Sequence, residues 1–255
     1  MLAVIVAAWD LGVRGQWVLV FGIKMGYLPP PVDVARVGWD FAFGGVYDDA
    51  FSGTLWQHLG ASALRVFTGF VLATAVGVPL GVLMGRSSWV RAAFDLTVNV
   101  FRPIPATAWV PLVLLIIGFG DQATIFLITL SAFFPILLNT LGAVREVPQR
   151  LVEAAQMLGT SRPGVLIKVV IPAATPGIVN GLRLGLGLAW VILVLGEANG
   201  IDTGLGSMIT LAREQVRTDR VVVGMIVIGL AGFLSDRLLL HGLRALFGRR
   251  PLVRA

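Results

Sequence analysis

Residues 122–144 carry no Asp, Glu, Lys or Arg, while Asp121 and Arg145 stand at the two ends of the run. As a helix rising about 1.5 Å per residue, that run reaches about 35 Å, enough to cross a hydrocarbon layer of about 30 Å. The rest of the chain makes a soluble alternative untenable. Of 255 residues, 56% are hydrophobic and 13% charged, and mean hydropathy is +0.87, whereas soluble domains carry about 25% charged residues. Backbone polar groups in lipid must pair within their own segment, so the fold class is an all-α integral membrane protein.

Further spans are expected over about 59–84, 103–120, 176–198 and 221–243. The N-terminus allows two readings. One is a single span over about 2–23 in which Asp10 and Arg14 pair one turn apart. The other ends the first span near Trp9 and Asp10 and makes 11–28 a helix at the outer surface, leaving a span too short for the bilayer. No basic segment precedes the apolar run, so a cleaved signal peptide is not expected. The expected organisation is an N-terminal helix and external segment (1–58), a transmembrane domain (59–243) and a basic tail (244–255).

Charge sets the orientation. Twelve cations, running from Arg86, Arg91 and Arg102 to Arg249, Arg250 and Arg254, fall at one set of span ends. Five fall at the other: Lys24, Arg36, Arg213, Arg217 and Arg220. The positive-inside rule places the richer set in the cytoplasm. The acidic stretch with Asp33, Asp40, Asp48 and Asp49 then lies outside. This segregation also argues against nucleic acid as the reason for a net charge of +6.

Two features suggest how the spans pack. Gly69, Ala73, Gly77, Gly81 and Gly85 recur every four residues, as do Gly177, Gly181 and Gly185. Such small-residue ladders let helix backbones approach where lipid supplies no hydrophobic drive. The third span is instead broken by Pro103, Pro105 and Pro111. Carbonyls freed at membrane depth are tolerated inside protein or beside a water-filled cavity, which makes this a candidate pathway segment.

Between the fourth and fifth spans, residues 145–172 are too polar for hydrocarbon but strongly patterned. Pro148 can open a helix, and Leu151, Val152, Ala155 and Leu158 then share one face. Gly159 is its natural stop. Ser161 and Pro163 can start a second helix, whose extension Pro172 should limit. The result is a helix–Gly turn–helix element with its own apolar face.

This stretch carries a resemblance. Glu153-Ala154-Ala155, then Gly159, then Val169-Val170-Ile171-Pro172 resembles the EAA loop of ABC-importer permeases of the binding-protein-dependent type, whose pattern is Glu-Ala-Ala, Gly and Ile-x-Leu-Pro at the same spacing. Arg102-Pro103-Ile104-Pro105, the segment Phe133 to Thr140, and the segment Ala212 to Asp219 resemble the sulfonate, taurine, nitrate and bicarbonate permeases of that group. The resemblance implies a type I ABC-importer permease (MetI-like) core with about 5–6 transmembrane helices in the bacterial plasma (inner) membrane. It implies a homodimer, two ATPase subunits on the cytoplasmic side and an external substrate-binding protein. The residues it assigns to ATPase coupling are Glu153, Ala154, Ala155, Leu158, Gly159, Ser161, Ile171 and Pro172. Pathway candidates are Arg102, Pro103, Pro105, Asn139, Arg183 and Glu197, with a small anionic solute as cargo. For Arg183, snorkelling to the inner interface is the competing expectation.

Other chemistry has no support. The lysines, Lys24 and Lys168, lie outside any Gly-x-x-x-x-Gly-Lys-[Ser/Thr] motif, so ATP and Mg would be bound by partner subunits and no cofactor by this chain. There are no cysteines and only two histidines, His58 and His241, which leaves metal binding and nucleophilic catalysis without candidates. The rival function is a self-contained secondary carrier or channel. Inverted repeats would favour it, and none is evident beyond the repeated glycine ladder.

Overall fold

The computed structural model describes residues 1–18, 20–22, 24–47 and 49–247. Asp48 and the tail cations Arg249, Arg250 and Arg254 lie outside the described residues. The helices are α1 (Leu2–Arg14), α2 (Pro31–Phe43), α3 (Leu55–Arg86), α4 (Ser88–Phe101), α5 (Val110–Ile116), α6 (Asp121–Arg145), α7 (Gln149–Met157), α8 (Arg162–Val165), α9 (Ile171–Glu197), α10 (Leu205–Glu214) and α11 (Thr218–Phe247). Among the described residues, four helical stretches are long and apolar enough to cross a membrane: α3, α6, the continuous run Arg162–Glu197, and Thr218–Ala245 of α11. A bent pair, Ser88–Phe101 with Ala106–Ile116, brings the count to five if it forms one span. By contact the chain divides into two compact units. One holds Met1–Leu64 and Glu197–Ala231; the other holds Arg65–Gly196 and the segment from Gly232 onward.

In the second unit α6 is the centre. Leu127, Ile128, Ala132, Ile136, Leu137 and Thr140 are almost fully buried along it. Both glycine ladders face it. A methyl group on Gly69 would come within 2.5 Å of Ile128, and one on Gly85 within 2.6 Å of Val144. From α9, a methyl on Gly177 would sit 2.4 Å from the Ala143 Cβ and one on Gly185 2.8 Å from Ile136. Glycine is required here by approach, not by backbone angle: the two neighbours press so close to α6 that no side chain fits between them.

The same unit ties α9 to α11 with polar contacts. Arg183 Nε and Nη2 donate to the two Asp236 carboxylate oxygens at 2.7 and 3.0 Å. Trp190 Nε1 donates to Ser235 Oγ at 3.0 Å. Arg65 Nε donates to Asp121 Oδ1 at 2.8 Å, joining α3 to the start of α6.

Three local expectations are corrected. After Arg86 the chain forms the 14-residue α4, which Ser87 caps with its Oγ accepting from the Val90 amide. The run that follows bends by 82° at the Arg102–Pro105 break, and α5 ends at Ile116 instead of reaching Gly120. Pro172 does not limit the second helix of the polar stretch. The chain passes from α8 through a π-helical turn, Leu166–Val170, into α9. The wider turn shifts the hydrogen-bond register just ahead of Pro172, and the helix continues past the proline into α9. Finally, α1 stops at Arg14, which pairs with Asp10 at 2.8 Å. The helix therefore ends neither near Asp10 nor near Ile23, and short 3₁₀ turns at Val20–Gly22 and Met25–Tyr27 follow.

The first unit is held by buried charge. Asp40, on α2, is 3% exposed. It accepts from the Val46 and Tyr47 amides at 2.8 and 3.0 Å and from Ser52 Oγ at 3.1 Å. Arg220, equally buried, pairs with Asp49 and lies over the Phe51 ring. Burial would raise the Asp40 pKa, but the two amides, the Ser52 hydroxyl and the Arg220 charge outweigh it and hold the carboxyl below its ordinary value.

Candidate functional site

The polar stretch forms one compact element built around α7. Val152 is 4% exposed and packs with Val144, Val165, Val170 and Ala174, with Ala155 against the same cluster. This apolar contact fixes one face of α7 to the ends of α6 and α9. The opposite side is open: Met157 and Leu158 are 87% and 86% exposed, and Leu151 is 45% exposed. Glu153 and Ala154 are exposed beside them. Leu158 therefore leaves the face it was expected to share with Val152, because α7 ends at Met157 and the next residue is no longer in helical phase. Gly159 turns the chain with φ +79°, the left-handed region that favours glycine. Ser161 then caps α8, its Oγ accepting from the Gly164 amide at 3.4 Å. Ile171 and Pro172 are half-buried at the base of α9.

The six pathway candidates are not gathered at one place. Arg102, Pro103 and Pro105 line a cavity of about 660 Å³, opposite Ser131 and Phe134 of α6 and Val191 of α9. This volume lies within the range of ligand pockets, about 300–1,000 Å³, and the walls are mostly apolar. Asn139 lines a separate cavity of about 360 Å³ with Gly142, Gly177 and Asn180. Its Nδ2 donates to the Pro135 carbonyl at 2.8 Å, and its Oδ1 accepts from Asn180 Nδ2 at 3.1 Å. Arg183 is engaged by Asp236, so its charge is compensated within the helix bundle.

Glu197 belongs to the other unit and is fully buried there. It accepts from Ser62 Oγ at 2.7 and 2.9 Å and from the Gly206 amide at 2.8 Å. Ser62 Oγ in turn accepts from the Leu205 amide at 2.8 Å. The first amides of α10 are thus satisfied by a carboxyl from the end of α9 and a hydroxyl from α3, an arrangement that also suits the positive end of the helix dipole. Sequence reasoning did not name Ser62 as the partner of Glu197, Asp121 as that of Arg65, or Asp236 as that of Arg183. The available signal was chemical: ionisable groups within apolar helices require compensation.

Residues 77–248 match the family model described as binding-protein-dependent transport system inner membrane component. The taurine transport system permease protein of Escherichia coli is 40% identical over 220 residues, covering 86% of this chain and 78% of the relative. The chain belongs to this family. It is an inner-membrane permease component, and the nitrate import permease protein of a Synechocystis strain, 30% identical over 92% of the chain and 83% of its own length, is another relative. A chain in an inward-facing structure of the MetNI methionine ABC transporter shares the fold, with a TM-score of 0.62 and 24% identity. The match covers 76% of this permease and 98% of that chain. The comparison supports the type I importer-permease architecture expected from the sequence.

Proposed function

We propose that this permease couples ATP hydrolysis on two separate ATPase subunits to import of a small anion delivered by an external binding protein. The observation that carries the coupling reading is the outward face of α7. Val152 fastens the helix to the core while Leu151, Met157 and Leu158 stand exposed beside Glu153. A helix clamped on one side and apolar on the other suits transmission of force from a partner subunit to α6 and α9. On this reading the chain carries no catalytic group or cofactor of its own, and ATP and Mg are held by the partners.

Two copies of the chain would line the route about a two-fold axis. The Arg102 cavity is the pathway segment favoured here: one guanidinium for an anionic head, with apolar walls for a small organic body. Relatives named for taurine and nitrate support an oxyanion as cargo. Arg183, already neutralised by Asp236, is assigned to holding α9 and α11 together.

Co-purification and uptake test the proposal together. Leu158→Asp should abolish co-purification of the ATPase and ATP-driven uptake, while the permease itself stays monodisperse, because Leu158 is 86% exposed. Retention of the ATPase and full uptake in that variant would overturn the coupling reading. Arg102→Gln should lower anion uptake with the ATPase still bound.

A further inference from the structure

A third cavity, of about 240 Å³, lies behind α7. It is lined by Arg86, Arg91, Arg145 and Gln149, with Val152 and Val170 among its floor residues. Three arginines, Arg86 and Arg145 exposed and Arg91 half-buried, line it, and no carboxylate is among the lining residues. Their convergence is built in by packing. Gly85 of α3 lies against Val144 of α6, so the next residues, Arg86 and Arg145, emerge side by side at the ends of the two helices. Arg91 comes from α4, lines the cavity as well, and its Nε donates to the Met84 carbonyl at 3.3 Å. Gln149 opens α7, so the positive end of that nine-residue helix also abuts the cavity.

The positive-inside rule accounts for arginines at these helix ends, and helix C-termini favour nearby cations. Neither accounts for three of them, on three helices, facing one space that a fourth helix enters by its N-terminus. Like charges brought together repel, and an anion in their midst removes that repulsion. The volume holds about eight waters at about 30 Å³ each, room for a hydrated oxyanion. Arginine forks match the paired oxygens of phosphate and sulfonate groups.

We propose that Arg86, Arg91 and Arg145 form an anion site for a phosphate- or sulfonate-type group, distinct from the Arg102 cavity. The group could come from a lipid headgroup or from a free oxyanion, and the chemistry of recognition is the same. This inference does not depend on the coupling role proposed for α7, and its test reads binding without transport.

The full chain is reconstituted in nanodiscs of phosphatidylcholine, with or without phosphatidylglycerol. Its thermal midpoint is followed as sodium sulfate or phosphate is titrated against chloride at matched ionic strength. A rise with the oxyanions in phosphatidylcholine supports the site with a free anion as occupant. A midpoint already higher in discs with phosphatidylglycerol than in phosphatidylcholine alone, with no further rise on adding the oxyanions, supports it with a lipid headgroup. In either case Arg86→Gln/Arg91→Gln/Arg145→Gln should weaken the effect at least about tenfold in ligand concentration. Arg150→Gln, which removes an exposed arginine outside the cavity, should leave it unchanged. The single change Arg91→Lys keeps the charge but loses the fork, and should weaken binding less than Arg91→Gln. No rise with any of these probes, or an effect that survives the triple variant or falls equally in Arg150→Gln, overturns the proposal.

Discussion

Each of the two units of this permease is held together internally by a different means. Around α6, contact is dry: glycine ladders on α3 and α9 bring backbones against Ile128, Ile136, Ala143 and Val144. In the unit formed by Met1–Leu64 and Glu197–Ala231, the ties are buried charges and hydroxyls, with Glu197, Ser62, Asp40 and Arg220 each less than about one-tenth exposed. The difference follows from the solvent each must replace. Lipid tails are as apolar as the side chains, so helices within them associate by close approach and dispersion. Loops and helix ends carry orphan backbone groups that must be paired, and buried side chains do that work.

The charged ties should be the more fragile when cut. Glu197→Ala removes the acceptor of Ser62 and of the Gly206 amide and leaves both buried. A loss of about 3 kcal/mol is expected, read as a fall in the thermal midpoint of the purified permease. Glu197→Gln, which keeps the shape, should lose less; equal losses would show that volume rather than hydrogen bonding matters there. The ladder comes next. Gly177→Val must displace Ala143, whose Cβ is fixed to the backbone, and should cost about 1–3 kcal/mol. Gly187→Val on the same helix, where nothing lies within 4 Å of an added Cβ, serves as the near-neutral control.

The Arg183–Asp236 pair blends the two regimes, since it is a charged tie within the bundle. Either single change to Ala leaves one charge uncompensated and should destabilise more than the double change; simple additivity would show that the two do not interact. The smallest effect is the pH response of Asp40. Its pKa is lowered by folding, so the stability it contributes is present above the unfolded value of about 3.9. That contribution is lost as pH falls through the lower folded value. Acid destabilisation as pH falls below about 4 should therefore be shallower in Asp40→Asn.

What could be read from the chain follows from period and composition. The four-residue spacing of small residues announced two close helix contacts, and a helix has only one way to present such a stripe. The ends of α6 were marked by Asp121 and Arg145, and the turn at Gly159 by its own residue type. The polar stretch was legible as an element because Pro148, Gly159 and Ser161 act locally.

Pairings across long sequence separations were not legible. Arg183 and Asp236 are 53 positions apart, and Ser62 and Glu197 are 135 apart. Nothing local in either sequence neighbourhood names the partner. The same holds for the three arginines behind α7, which looked like independent inward-facing charges. Local backbone rules were also overruled where the chain had room to adjust, as at Pro172, where a π-helical turn carried the helix onward. The sequence by itself determined that the chain lives in a membrane and where its helices can approach. Only the tertiary structure decided which charges meet, because electrostatic and hydrogen-bonding contacts depend on distances of a few ångströms that packing alone sets.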